Sequence, residues 1–378
     1  MPLLGKPLVI LLSIAAVGLL VATAVFWNRL PGRAAVRWTA RTGLLVSGQV
    51  LTIALVLAVA NNYGYFYTSW KQIIGSGSQA APAIDQTVPG DVAAAGADAR
   101  SLRHLRAPSF SSPENYARQG QLQMVAITGA RSTIRQEAYV YLPPQYFQAA
   151  DAHRSFPAVE VMTGWPGQAL NLVRRLDYPK MLASQIAAGT AQPMVLVMLS
   201  PALTGRRDTE CTDVPNGPQA LTFLSQDVPA SIDDTYRVLP SDWGAMGDST
   251  GGYCATKMTM MHSDVFRAAV SLSGYYYALR DNTTHDLWGG SSLLRDENSP
   301  EWRLQHLPAP PVAILGTTSH GERGRAGWTD LVRFAALARA PMTMQKVVLP
   351  AGGHNFATWQ REMPSSITWL SRQLQLNA

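Results

Sequence analysis

The chain opens on two apolar stretches unlike anything that follows them. From Pro7 to Trp27 there are 21 successive uncharged residues, enough to cross the roughly 30 Å hydrocarbon core of a bilayer as a helix. A second uncharged stretch runs from Thr42 into Tyr67. Spans are therefore expected at about 7–27 and 42–62, within a membrane anchor covering 1–74. Trp27, Trp38, Tyr63, Tyr65, Phe66, Tyr67 and Trp70 fall where interfacial aromatic belts form. Residues 75–101 are rich in Gly, Ala and Pro with almost no large apolar side chains, which reads as a flexible linker.

From 102 to 378 the pattern changes to short elements, and no internal repeat is evident. Two segments, 121–130 and 136–145, break apolar residues with polar ones and read as paired strands. Short apolar runs then recur at 156–163, 193–200, 243–249, 266–274, 310–317 and 343–350. Between them lie stretches suited to helices, at 170–187, 227–238, 250–261, 326–339 and 356–374. Continuous apolar strands alternating with helices predict an α/β domain whose mostly parallel central sheet is covered on both faces.

Charge sharpens the division. The chain carries a formal net charge of +6, which could suggest a nucleic-acid binder. Yet residues 1–74 hold Lys6, Arg29, Arg33, Arg37, Arg41 and Lys71 and no acid, leaving 25 basic residues against 25 acidic ones for the rest. The basic balance belongs to the apolar hairpin, so nucleic acid is not an expected partner. Four of these cations, the arginines, lie between the spans, and the positive-inside rule makes that loop cytoplasmic. Two spans return the chain to its starting side, so the expected location is the cell membrane, multi-pass, with the large domain extracytoplasmic. A cleaved leader over residues 1–30 is the weaker reading: no small-residue cleavage site follows it and the second span stays unexplained.

In such a sheet, chemistry collects at the carboxyl ends of strands. At the end of 243–248 stands Gly247-Asp248-Ser249-Thr250-Gly251, a G-x-S-x-G between a strand and a helix. The glycines suit a tight turn that lifts the serine, making Ser249 the candidate nucleophile. A serine needs a base, and His354 lies in the Gly-rich loop 351–355 after the last apolar run, in the Ser, acid, His order of this fold. The acid is expected from the loop after 310–317, where Glu322 is preferred and Asp330, placed inside the next helix, is the reserve. The backbone N–H groups of Thr250, after the nucleophile, and of Trp165, in the loop after 156–163, are the candidate oxyanion donors. His104, His153, His262, His285 and His306 read as surface or structural, and His320 as a loop residue near the acid.

The runs MTGWPGQ, RDTECTDVPNG with TFLSQDVPASID, GDSTGGYCA with HSDVFRAAVSLSGYY, AILGT with its acidic loop, and AGGHNFATW together resemble the esterase family that includes esterase D-like enzymes and the actinobacterial mycolyltransferases, over roughly 115–375. The resemblance implies an α/β-hydrolase fold, preceded here by two transmembrane helices. It implies Ser249 as nucleophile, Glu322 as acid, His354 as base, and Trp165 and Thr250 as oxyanion donors. Two features depart from the mycolyltransferase branch: the membrane spans, and Asp248 before the nucleophile.

The expected activity is that of a membrane-anchored serine esterase or acyltransferase, working through an acyl-enzyme on an acyl ester such as an envelope lipid or sugar ester. The competing readings are a non-catalytic envelope scaffold on the same fold and a serine peptidase. No motif for a nucleotide, cofactor or catalytic metal is present. Cys211 and Cys254 suit either a disulfide or two buried thiols. The charged run Gly205 to Glu210 with Asp213 could hold a metal or a polar head group, but is expected to be solvated and internally paired. Tyr275, Tyr276 and Tyr277, at another strand end, either line the substrate pocket or pack on the sheet.

Overall fold

The computed structural model describes residues 6–64, 102–105, 112–203, 207–322 and 327–374. The linker expected at 75–101, together with Lys71 and the aromatics beyond Gly64, lies outside them. The chain divides into two units, 1–94 and 95–378.

In the first unit, helices α1 (Lys6–Phe26) and α2 (Ala34–Gly64) pack as a hairpin. Leu8 and Ala58 are buried at their contact, with Val9 and Leu12 against them. The stretches Pro7–Phe26 and Ala34–Ala60 have mean hydropathies of 2.8 and 2.2, and both are long and apolar enough to cross a membrane. The second helix starts eight residues before the expected span, so Arg37 and Arg41 sit on its first turns instead of in a loop. The Arg41 guanidinium donates to the Trp27 carbonyl at 2.8 and 3.0 Å and lies over the Trp27 ring, 4.9 Å from its centroid. The turn between the helices is thus closed by one of its own cations.

The second unit is built on nine strands: β1 (Leu102–Leu105), β2 (Gln121–Thr128), β3 (Arg135–Leu142), β4 (Phe156–Met162), β5 (Val195–Leu199), β6 (Val238–Asp248), β7 (Phe266–Leu272), β8 (Ala313–Ser319) and β9 (Thr343–Leu349). Their spatial order is β1-β2-β3-β5-β4-β6-β7-β8-β9. Pairing is antiparallel from β1 through β5 and parallel from β5 through β9. All residues of β4 and β5 are buried, as expected where helices cover both faces of a parallel sheet. Successive side chains feed opposite layers: Ala158 and Met162 join the core on one face, Val159 and Val161 that on the other.

The main covering helices are α3 (Tyr178–Ala187), α4 (Thr250–Met261), α5 (Trp328–Leu337) and α6 (Phe356–Gln373). Three local expectations are corrected. The single helix expected at 170–187 is broken at Asp177, whose φ of 50° no α-helix accommodates. The helix expected at 227–238 ends at Asp233, because Val238 already begins β6. β1, with only four residues, gave no periodic signal.

Candidate active site

The carboxyl ends of β4, β6, β8 and β9 deliver the residues of interest to one region. β6 ends at Asp248, and Ser249 turns sharply into α4 with φ 54° and ψ −120°, a sparsely populated conformation for a non-glycine residue. The elbow is crowded on its far side. A Cβ on Gly251 would come within 2.2 Å of the Met162 carbonyl oxygen of β4, so only glycine lets α4 start this close to the sheet. Ser249 N–H donates to the Leu272 carbonyl of β7 at 2.9 Å, which fixes the strained residue from below.

His354 follows β9, and its Nε2 lies 2.8 Å from Ser249 Oγ. Its ring meets Trp359 of α6 edge to face, with centroids 5.2 Å apart, a packing that limits ring rotation. Glu322 follows β8. The two loops run together, since His320 N–H donates to the Leu349 carbonyl at 3.0 Å. Glu322 Oε1 lies 3.7 Å from His354 Nδ1, an ion-pair distance rather than a hydrogen bond.

The Glu322 carboxyl is only 4% exposed, and two hydroxyls hold it. Ser273 Oγ donates to Oε1 at 2.8 Å and Thr318 Oγ1 to Oε2 at 2.5 Å. Asp330, the reserve acid, is instead on α5 and paired with Arg333 at 3.0 Å. Thr250 opens α4, and Trp165 sits half-buried in the turn after β4. Ser249, His354 and Glu322 are thus brought together, and the turn bearing Trp165 packs on the same elbow.

Sequence reasoning missed the groups behind this constellation. Among the described residues of the charged run, the acids are not solvated: Asp208 is 3% exposed and Glu210 fully buried. Asp208 Oδ2 accepts from Thr250 Oγ1 at 3.1 Å, and Glu210 Oε1 accepts from Tyr275 OH at 2.6 Å. Burial raises both carboxyls, Glu210 to about 8. Lys257 of α4, also fully buried and lowered to about 7 by that burial, donates to the Glu210 carbonyl, Thr212 Oγ1 and Asn298 Oδ1 at 2.6, 3.1 and 3.0 Å. Cys211 and Cys254 form a disulfide that ties this loop to α4, which resolves the two alternatives left by the sequence. Tyr275 stacks on Tyr253 and Tyr276 on Phe334; both are packing residues, not pocket lining.

A mostly parallel sheet with a serine at the β6-to-helix elbow and a histidine after the last strand defines an α/β-hydrolase. The sequence matches the family described as "Putative esterase" over residues 132–370, and the chain belongs to that family. Among curated proteins, none matches the chain in sequence. Solved structures share the fold at low identity. An S-formylglutathione hydrolase from Agrobacterium tumefaciens is 13% identical with a TM-score of 0.58, the match covering 68% of this chain and 97% of that one. A ferulic acid esterase is 17% identical at TM-score 0.57, covering 68% and 98%. The fluorophosphonate-binding serine hydrolase F of Staphylococcus aureus is 14% identical at TM-score 0.55, covering 67% and 98%.

Proposed function

We propose that the protein is a membrane-anchored serine esterase or acyltransferase in which Ser249, His354 and Glu322 act as nucleophile, base and acid. The observation that carries the reading is the 2.8 Å separation of His354 Nε2 from a serine hydroxyl held on a strained elbow, in a chain of an esterase family. His354 takes the Ser249 proton as Oγ attacks the acyl carbon. The resulting oxyanion faces the N–H groups of Trp165 and Thr250, the latter at the positive end of α4. Collapse expels the alcohol, which receives the proton back from His354, and the acyl group on Ser249 passes to water or to a sugar hydroxyl. Glu322 orients the imidazole through Nδ1, and their 3.7 Å separation closes as the imidazolium charge develops.

Anchoring rests on α1 and α2. The arginines at and near their turn support a cytoplasmic hairpin loop, and the Cys211–Cys254 disulfide supports an oxidising, extracytoplasmic setting for the large unit, residues 102–378. An acyl ester of the envelope is the expected substrate.

Changing Ser249 to Ala is expected to abolish turnover of a short-chain p-nitrophenyl ester and labelling by a fluorophosphonate probe, without loss of folding. Labelling that persists in this variant would overturn the assignment. Carbonate washing of membranes is expected to leave the protein in the pellet, and its release would overturn the anchoring.

A further inference from the structure

The two candidate oxyanion donors are held in different ways. Thr250 N–H belongs to the first turn of a twelve-residue helix, so the elbow itself fixes it. Trp165 N–H belongs to the irregular turn Gly164 to Gly167, closed on itself by Gly167 N–H donating to the Gly164 carbonyl at 2.7 Å and supported by Ser200 Oγ donating to the Gly167 carbonyl at 3.0 Å. This turn lies directly on the nucleophile: a Cβ on Gly164 would fall 2.7 Å from the Ser249 Cβ. Close packing of this kind sets a distance but not the rotation of the peptide plane, and that rotation decides where an N–H points.

The plane that carries Trp165 N–H also carries the Gly164 carbonyl, held by Gly167 N–H at 2.7 Å; the plane before it, which carries Gly164 N–H, is held by one side chain. Asp248, the residue before the nucleophile, is 1% exposed, and its Oδ2 accepts the Gly164 N–H at 2.9 Å. Its other oxygen, Oδ1, is buried with no hydrogen-bond partner among the described residues. Leaving a carboxyl oxygen unsatisfied in the interior is unfavourable, so packing does not explain an aspartate here. What the residue does is join the serine's own elbow to the turn that carries the second donor.

We infer that Asp248 is a positioning residue of the oxyanion site: it clamps the peptide entering Gly164 while Gly167 N–H holds the carbonyl leaving it, so that the next N–H, that of Trp165, faces the oxygen of the substrate held at Ser249. This rests on the serine hydrolase reading and deepens it. Both halves of the site then hang from one four-residue segment, Asp248 to Gly251. Burial raises the Asp248 carboxyl to about 7, so near neutral pH much of it carries no charge. A neutral acceptor suits a place beside a developing oxyanion, where a fixed negative charge would oppose the reaction.

The test compares Asp248→Asn and Asp248→Ala in the full-length protein. An asparagine keeps a carbonyl acceptor for Gly164 without the charge; an alanine removes the acceptor. Loss of one oxyanion donor costs about 10²- to 10³-fold in kcat, and a misoriented donor is expected at the lower end. Asp248→Ala should therefore lose about 30- to 100-fold in kcat with KM within about twofold, and its affinity for an alkyl boronic acid, which forms a tetrahedral adduct on Ser249, should fall in parallel. Asp248→Asn should stay within about threefold of the parent on both measures, as expected of a retained acceptor. If Asp248→Ala does not fold, Asp248→Leu fills the space without an acceptor and carries the same expectation.

A folded acceptor-less variant within about threefold of the parent, a loss confined to KM, or equal losses in the Ala and Asn variants would overturn the inference. Ser249→Ala measured alongside separates the two ideas. If it retains turnover, the serine reading fails and the inference with it; if it is inactive, a negative Asp248 result overturns the inference alone.

Discussion

Two sets of buried acids lie around the candidate site, and the protein surrounds them differently. Asp208 and Glu210 are enclosed with a cation, Lys257, three hydroxyls and two backbone amides, and their loop is tied to α4 by a disulfide. Asp248 and Glu362 have no cation within hydrogen-bond reach among the described residues, and each keeps one oxygen without a partner. Glu362 on α6 accepts from Thr317 Oγ1 at 2.7 Å, and burial raises its carboxyl to about 8, with Glu322 nearby adding to the rise. Burial raises the carboxyls of both sets; in the first every oxygen meets a donor, and in the second each acid leaves one oxygen bare. The difference teaches that a buried acid is not one kind of object: one set is enclosed in a network of donors, and the other is left small and partly unpaired.

The contrast can be broken by experiment. The largest effect is expected from Lys257→Met, which strands three buried acceptors and leaves two acids without their cation; stability should fall by about 3–5 kcal/mol, read by urea unfolding. Next comes the disulfide. Cys211 and Cys254 are 43 residues apart in sequence, and replacing both with serine is expected to cost about 2–4 kcal/mol in the same assay. If the loop has a second role in keeping Thr250 in place, the double variant also loses kcat beyond what its unfolded fraction explains.

The smallest effect is also the most diagnostic. Glu362 holds its proton to a higher pH when folded than when unfolded, so the unfolded state gains by ionising first. Its contribution therefore reduces stability progressively as pH rises from about 4.5 towards 8. Glu362→Gln should raise the Tm at pH 8 relative to the parent and leave it nearly unchanged at pH 5. Equal effects at both pH values would mean that this carboxyl does not carry a raised pKa.

All eight expected runs became strands β2 to β9; those of the parallel interior were legible because strands buried on both faces write themselves as short apolar runs. The elbow was legible because its requirements are local: two glycines around a serine, between a strand and a helix. What supports the elbow was not. Asp248 meets Gly164 across 84 residues, and Ser273 meets Glu322 across 49; neither pairing leaves a periodicity. Asp208 and Glu210 were read as solvated because charges usually are, and the cation enclosed with them lies on a stretch, 250–261, whose sequence gives no sign that Lys257 is buried. The early start of α2 was hidden for a related reason. Arg37 and Arg41 look like loop residues until the Trp27 carbonyl is seen to occupy one of them.

The serine, the acid and the histidine leave the sheet after β6, β8 and β9, in that order along the chain. A polypeptide emerging from the ribosome therefore has Ser249 before Glu322 and His354, and the 2.8 Å contact between Ser249 and His354 closes only once the outermost parallel strand, β9, has docked.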